Sequence, residues 1–166
     1  MSDVVVIGYG NELRGDDAVG PVVARQLRNC RLPDGVKVMD CHCLMPELAD
    51  DISTARWVIF VDSSVEADLQ AATAGSITHR ELSEATLDPS PLGHTLDPRS
   101  LMELAQRLYS CSPKAELFTV TGDRFEIGDT MSPEVVQAAG ELVAQIAARL
   151  SLIHGMLLCD GQNANG

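Results

Sequence analysis

Aromatic residues are scarce in this chain: one Trp, two Tyr and three Phe among 166 residues. Any core must therefore be aliphatic, packed from Val, Ile, Leu and Ala. Basic residues are also few, 12 Lys and Arg against 24 Asp and Glu, for a formal net charge of −12. With no basic run to offset it, that balance repels nucleic acid and anionic membranes. It suits a metal cation or a basic peptide, and it also simply keeps a protein in solution. The apolar runs read as far shorter than the roughly 20 residues of a membrane helix. Met1-Ser2-Asp3 passes directly into a strand pattern without a basic leader, so a cytoplasmic protein is expected. The five cysteines, Cys30, Cys41, Cys43, Cys111 and Cys159, are odd in number and scattered. They read as free thiols in a reducing compartment rather than as a disulfide framework. Three catalytic signatures are missing: a Gly-Lys-Ser/Thr phosphate loop, a Gly-x-Ser-x-Gly elbow and a His-Glu-x-x-His helix.

What is present begins with Val4-Val5-Val6-Ile7-Gly8-Tyr9-Gly10. A continuous β-branched run of this kind is a strand covered on both faces. Apolar residues at 18, 19, 22, 23, 24 and 27 then follow helical spacing, and Pro21 must lie in the first turn. That places a helix start near Asp16 or Asp17, where carboxylates cap and favour the dipole. A second strand runs from Val36 to about Asp40, and a short helix follows Pro46. A third strand from Arg56 to Val61 stops at Asp62. Residues 75–82 alternate like an edge strand, and residues 83–96 read as a long loop containing His94. Asp97-Pro98 opens a helix to about Tyr109, a fifth strand covers 116–121, and Ser132-Pro133 opens a helix to about Leu150. The order predicts an α/β fold of three layers (αβα), with a largely parallel five-stranded twisted sheet and helices on both faces. Residues 1–150 form one domain on this reading, and 151–166 are a partly mobile tail.

The first turn poses a conflict. Gly8 and Gly10 begin a dinucleotide fingerprint, yet Leu13 stands where its third glycine belongs. Glu12, Asp16 and Asp17 would meet a pyrophosphate with like charge, so a nucleotide-binding oxidoreductase is a weak alternative. In a parallel sheet, functional groups gather at the carboxyl ends of strands near a switch point. If strands 1 and 3 are neighbours, Asp17 and Asp62 face one crevice, and the loop could bring His94 over it. Two carboxylates and an imidazole suit a borderline divalent cation such as nickel or zinc. Each residue also has a structural reading: helix cap for Asp17, strand-end turn for Asp62, ordinary loop histidine for His94. Cys41 and Cys43 share a strand face with His42 opposite. No second cysteine pair lies at zinc-finger spacing, so these thiols read as buried and inert.

The pattern Gly8-x-Gly10-Asn11-x-Leu13-x-x-Asp16-Asp17-x-x-Gly20 resembles the N-terminal signature of the [NiFe] hydrogenase maturation endopeptidases. Asp40, Asp62 and His94 continue the resemblance in order, over about residues 3–150. Those proteases remove a C-terminal extension from the hydrogenase large-subunit precursor after nickel insertion. The resemblance implies metal contacts from Asp17, Asp62 and His94, and a further functional acid, a catalytic candidate, at Asp40. It implies turn and positioning roles for Gly8, Gly10, Asn11 and Asp16, with Asp16 the capping residue. The sequence His42-x-x-x-Pro46-Glu47-Leu48 is similar to the branch serving NAD(P)-linked bidirectional hydrogenases, and it makes His42 a substrate-contact candidate. No intrinsic cofactor is implied, because the nickel arrives in the precursor; other divalent cations suit the same donors. The expected partner is that precursor, with neither nucleic acid nor membrane. A non-enzymatic nickel-binding chaperone of the precursor is the alternative from another class.

Overall fold

The computed structural model describes residues 2–65, 73–82 and 96–163. Val4–Tyr9 forms β1 and a 3-10 turn at Gly15–Ala18 leads into α1, Val19–Arg28. The chain continues through β2 (Val36–Cys41), α2 (Leu48–Ser53), β3 (Trp57–Val65) and β4 (Ile77–Leu82). It ends with α3 (Pro98–Tyr109), β5 (Lys114–Gly122) and α4 (Pro133–Asn163). The sheet order is β2-β1-β3-β5-β4. Four strands are parallel, and only β4 at the edge runs antiparallel, against β5. The alternating sequence of β4 fits that half-covered position.

The two faces of β1 show why its sequence lacks alternation. Val4 and Val6 pack with Val19, Val23 and Leu27 of α1 and with Val135, Leu142, Ile146 and Leu150 of α4. Val5 and Ile7 pack with Leu48 and Ile52 of α2 and Leu101 and Ala105 of α3. Helices thus cover both faces of a buried central strand. Three expectations need correction. β3 does not stop at Asp62 but runs to Val65, because its ladder with β5 continues through Val65↔Gly122. The α4 helix extends past Leu150 to Asn163, with Ile153 still buried in the core. Finally, Pro133–Gly161 is long and apolar enough, by length and composition alone, to cross a membrane. Gly and Gln intersperse its apolar residues, and one stripe of them is the core face of α4.

Asp97 caps α3 as its sequence implies: the carboxylate accepts from Ser100 N at 2.7 Å, with Pro98 following. A buried carboxylate on β5 anchors the helix layer. Glu116, fully buried on β5, accepts from Trp57 Nε1 at 2.9 Å and from Arg149 of α4 at 2.5 Å. His79 Nε2 lies 2.8 Å from its other oxygen. Burial alone would raise this carboxyl, but the Arg149 and His79 partners hold it below the usual glutamate range. Glu116 therefore bolts α4 to the sheet.

Candidate active site

The strand order makes β1 and β3 neighbours, with chain leaving β1 toward β2 on one side and β3 flanked by β5 on the other. Their carboxyl ends form the switch-point crevice of an open α/β sheet. The glycines at the end of β1 serve this geometry. A Cβ on Gly8 would stand 2.1 Å from the Gly20 carbonyl oxygen, so only glycine lets α1 lie so close to the strand. Gly10 has φ +149°, and a Cβ there would stand 1.9 Å from the Asp17 carbonyl oxygen. Asn11 fixes the turn, its side-chain oxygen accepting from Leu13 N at 2.9 Å.

That turn delivers Asp17 to the crevice. One of its oxygens accepts from Asn11 N at 2.8 Å and the other from the Ser63 hydroxyl at 2.8 Å. Asp62 sits beside it on β3, accepting from Ser63 N at 2.7 Å and from the Tyr9 hydroxyl at 2.6 Å. Ser63 therefore bridges the two carboxylates, one by its hydroxyl and one by its amide. Burial pushes the Asp62 carboxyl up to about 6, and the Asp17 charge adds to the rise, against the lowering effect of the Tyr9 and Ser63 hydrogen bonds. Burial and the Asp62 charge in turn push the Tyr9 phenol well above its ordinary value. Each carboxylate oxygen accepts one bond and keeps a lone pair for a cation.

Asp40, Asp16 and His42 lie elsewhere. Asp40 is held by Arg28 at 2.6 Å and Arg25 at 3.2 Å, both from α1, and Arg25 also pairs with Glu12. Asp16 caps neither the 3-10 turn nor α1. It is fully buried and reaches across to the loop between β5 and α4. There it accepts from Ser132 N at 2.7 Å, Asp123 N at 3.0 Å, Arg124 N at 3.1 Å and the Ser132 hydroxyl at 3.1 Å. Burial works to raise this carboxyl, and those four donors outweigh it and hold it below the ordinary aspartate value. The cap expectation fails because both Asp16 oxygens are taken up by three loop amides and the Ser132 hydroxyl. His42 is exposed beyond β2. His94 lies outside the described residues. Leu96, two residues later, is bridged antiparallel to Leu44 just past β2, and Asp97 is close enough to Tyr9 to act on its phenol. Among the described residues no three His, Cys, Asp or Glu side chains are grouped to hold a metal ion. The described donor set is two carboxylates, which suits a borderline or hard divalent ion that brings its remaining ligands with it.

Sequence reasoning missed Tyr9 and Ser63. A tyrosine inside a glycine turn and a serine directly after a strand-end aspartate were the available signals. Without the β1–β3 pairing neither had a visible partner.

No family model matches the chain. Over 85 residues it is 35% identical to a proposed hydrogenase maturation protease of Methanocaldococcus jannaschii, MJ0253, covering 48% of this chain and 53% of that one. The match thus spans about half the length of that relative. The structure superposes on the hydrogenase maturating endopeptidase HybD of E. coli with a TM-score of 0.76, at 24% identity, covering 91% of this chain and 93% of that one. A hydrogenase 2 maturation peptidase from a Thaumarchaeota archaeon gives 0.68 at 25% identity, covering 91% and 99%. The [NiFe] hydrogenase maturation protease HycI of Thermococcus kodakarensis gives 0.71 at 22% identity, covering 90% and 93%. The chain shares its fold, nearly end to end, with hydrogenase maturation proteases.

Proposed function

We propose that this chain is a hydrogenase maturation endopeptidase, which removes the C-terminal extension of a [NiFe] hydrogenase large-subunit precursor once nickel is in place. The observation that carries the reading is the pair Asp17 and Asp62, bridged by Ser63 at the β1–β3 crevice. It occurs in a fold shared with proteins of that activity. Nickel here belongs to the substrate. Its own ligands come with the precursor, so two carboxylates with spare lone pairs are the complement it needs. His94 is the third contact on this reading.

The assembled residues divide the work as follows. Asp17 and Asp62 bind the precursor's metal-bearing segment and orient the adjoining peptide bond. The nickel supplies Lewis-acid polarisation of the scissile carbonyl. Asp62, with its carboxyl near 6, takes a proton from water more readily than an ordinary aspartate at neutral pH. Asp40 is less suited to that task, because two arginines already hold its charge. Its place is to orient α1 and the end of β2. The protein works in the cytoplasm, and the precursor is its partner. The His42 pattern favours the NAD(P)-linked branch.

Incubation with nickel-loaded and nickel-free precursor tests the reading. A shortened large subunit only in the loaded reaction supports it. An intact precursor held in a stable complex would make the chain a chaperone instead.

A further inference from the structure

β3 outruns β1. Their ladder ends at Gly8↔Val61, whereas β3 continues against β5 as far as Val65↔Gly122. Beyond Tyr9 the chain turns to the other side, where Gly10 N donates to the Cys41 carbonyl. Residues 62–65 therefore have a strand neighbour on one edge only. The direction of their backbone groups follows from β5. Thr121 spends its amide on the Ser76 carbonyl and its carbonyl on the Gly75 amide, both on the β4 side. Successive residues of a strand aim their backbone groups at opposite edges, so Val120, opposite Ser63, faces β3 and bonds to Asp62 and Ser64. Ser63 and Val65 must then aim theirs the other way, into the lane that β1 has left.

The Ser63 amide is taken by the Asp62 carboxylate at 2.7 Å. Among the described residues no hydrogen bond reaches the Ser63 carbonyl or the Val65 amide. Val65 is 47% exposed, so this edge is open to solvent at its end. An acceptor and a donor two residues apart on one strand edge are the complement of a single residue of extended chain running parallel. Its N–H meets the first and its C=O meets the second. A metal ion offers nothing to the amide and a fully ionised phosphate nothing to the carbonyl, whereas a peptide serves both. Ser63 also bonds both the Asp17 and the Asp62 carboxylates, so a strand added here passes directly beside them. We infer that the precursor's C-terminal extension binds as an added strand on this edge, held by the Ser63 carbonyl and the Val65 amide. This rests on the reading of the chain as the precursor's protease, and it states how the peptide is kept in register with the carboxylates.

Val65→Pro deletes the amide donor without touching the β5 ladder. It should raise KM for processing of nickel-loaded precursor roughly three- to tenfold, the worth of one backbone hydrogen bond, with little change in kcat. Val65→Ala keeps the donor and should process as wild type. Ser64→Pro removes an amide that β5 uses and should instead lower stability to urea. Hydrogen exchange resolved at single residues reads the contact without cleavage, on wild-type protein saturated with nickel-free precursor. The Val65 amide should exchange freely in the protein alone and slow by about tenfold or more in the complex, while the Ser64 amide is protected in both. A wild-type KM in Val65→Pro, an equal loss in Val65→Ala, undiminished stability in Ser64→Pro, or a Val65 amide that stays fast in the complex overturns the inference, as does the absence of any complex. If Val65→Pro unfolds, the exchange result decides alone. An uncut nickel-loaded precursor counts against the protease reading, and protection of Val65 in the complex then still upholds the added strand.

Discussion

Ser63 is a small residue with two bonds to give, and it gives them to different carboxylates. This fixes which oxygens of Asp17 and Asp62 remain open. Asp62→Asn and Asp17→Asn keep the size of the side chain and remove the charge, so each should abolish processing of nickel-loaded precursor with native circular dichroism. Wild-type processing by either variant would remove that residue from the metal contact. Ser63→Ala should lower the processing rate on the order of tenfold by loosening Asp17, and Ser63→Thr should restore most of it. The ionisation of Asp62 gives a second measurement. Its carboxyl should titrate near 6 in a carbon NMR experiment on the free protein. Tyr9→Phe removes a hydrogen bond to the charged form and should move the midpoint up. Asp17→Asn removes a like charge and should move it down.

At the level of elements, most of the sequence pattern became structure because the patterns were locally complete. β1 reads as doubly covered from Val4-Val5-Val6-Ile7 alone, and Asp97-Pro98 contains both halves of a helix start. The errors arose where a partner far along the chain decides. Asp62 lies inside β3 because β5 continues to pair with it. The end of α4 lies beyond Leu150 because Ile153 and Leu157 continue its stripe against the core. Asp16 has the largest such effect. Its partners, Asp123, Arg124 and Ser132, are more than a hundred residues away. Asp16→Ala would leave three amides without an acceptor and should cost about 3 kcal/mol or more in a urea unfolding experiment. Asp16→Asn keeps one acceptor oxygen and should cost less.

Over the whole molecule, the pH response of stability follows from three carboxyls of opposite sense. Asp16 and Glu116 are held below their ordinary values in the fold. Their contribution is present above the unfolded carboxylate range and is lost as pH falls through their lower folded values. Asp62 has the reverse sign: its contribution is full below its unfolded value of 3.8 and is lost as pH rises through about 6. Acid unfolding should therefore be governed by Asp16 and Glu116. Glu116→Ala, which strands Arg149 against the sheet, should cost about 3–5 kcal/mol by denaturant titration. Much of the candidate site was legible once β1 and β3 were placed side by side, since Asp17 and Asp62 then fall at one crevice. The ion pairs of Asp40 were not, because Arg25 and Arg28 find it only when α1 packs beside β2. The adjacency of β1 and β3 has a kinetic side as well. Their pairing joins Val4 with Trp57 and Gly8 with Val61, contacts that span about a third of the chain. Closing such a loop costs chain entropy. Fragments that have not yet closed it carry both aspartates and yet have no crevice. Competence to meet the precursor should thus arise in one step with the docking of β3, and amide exchange along β3 should track its loss.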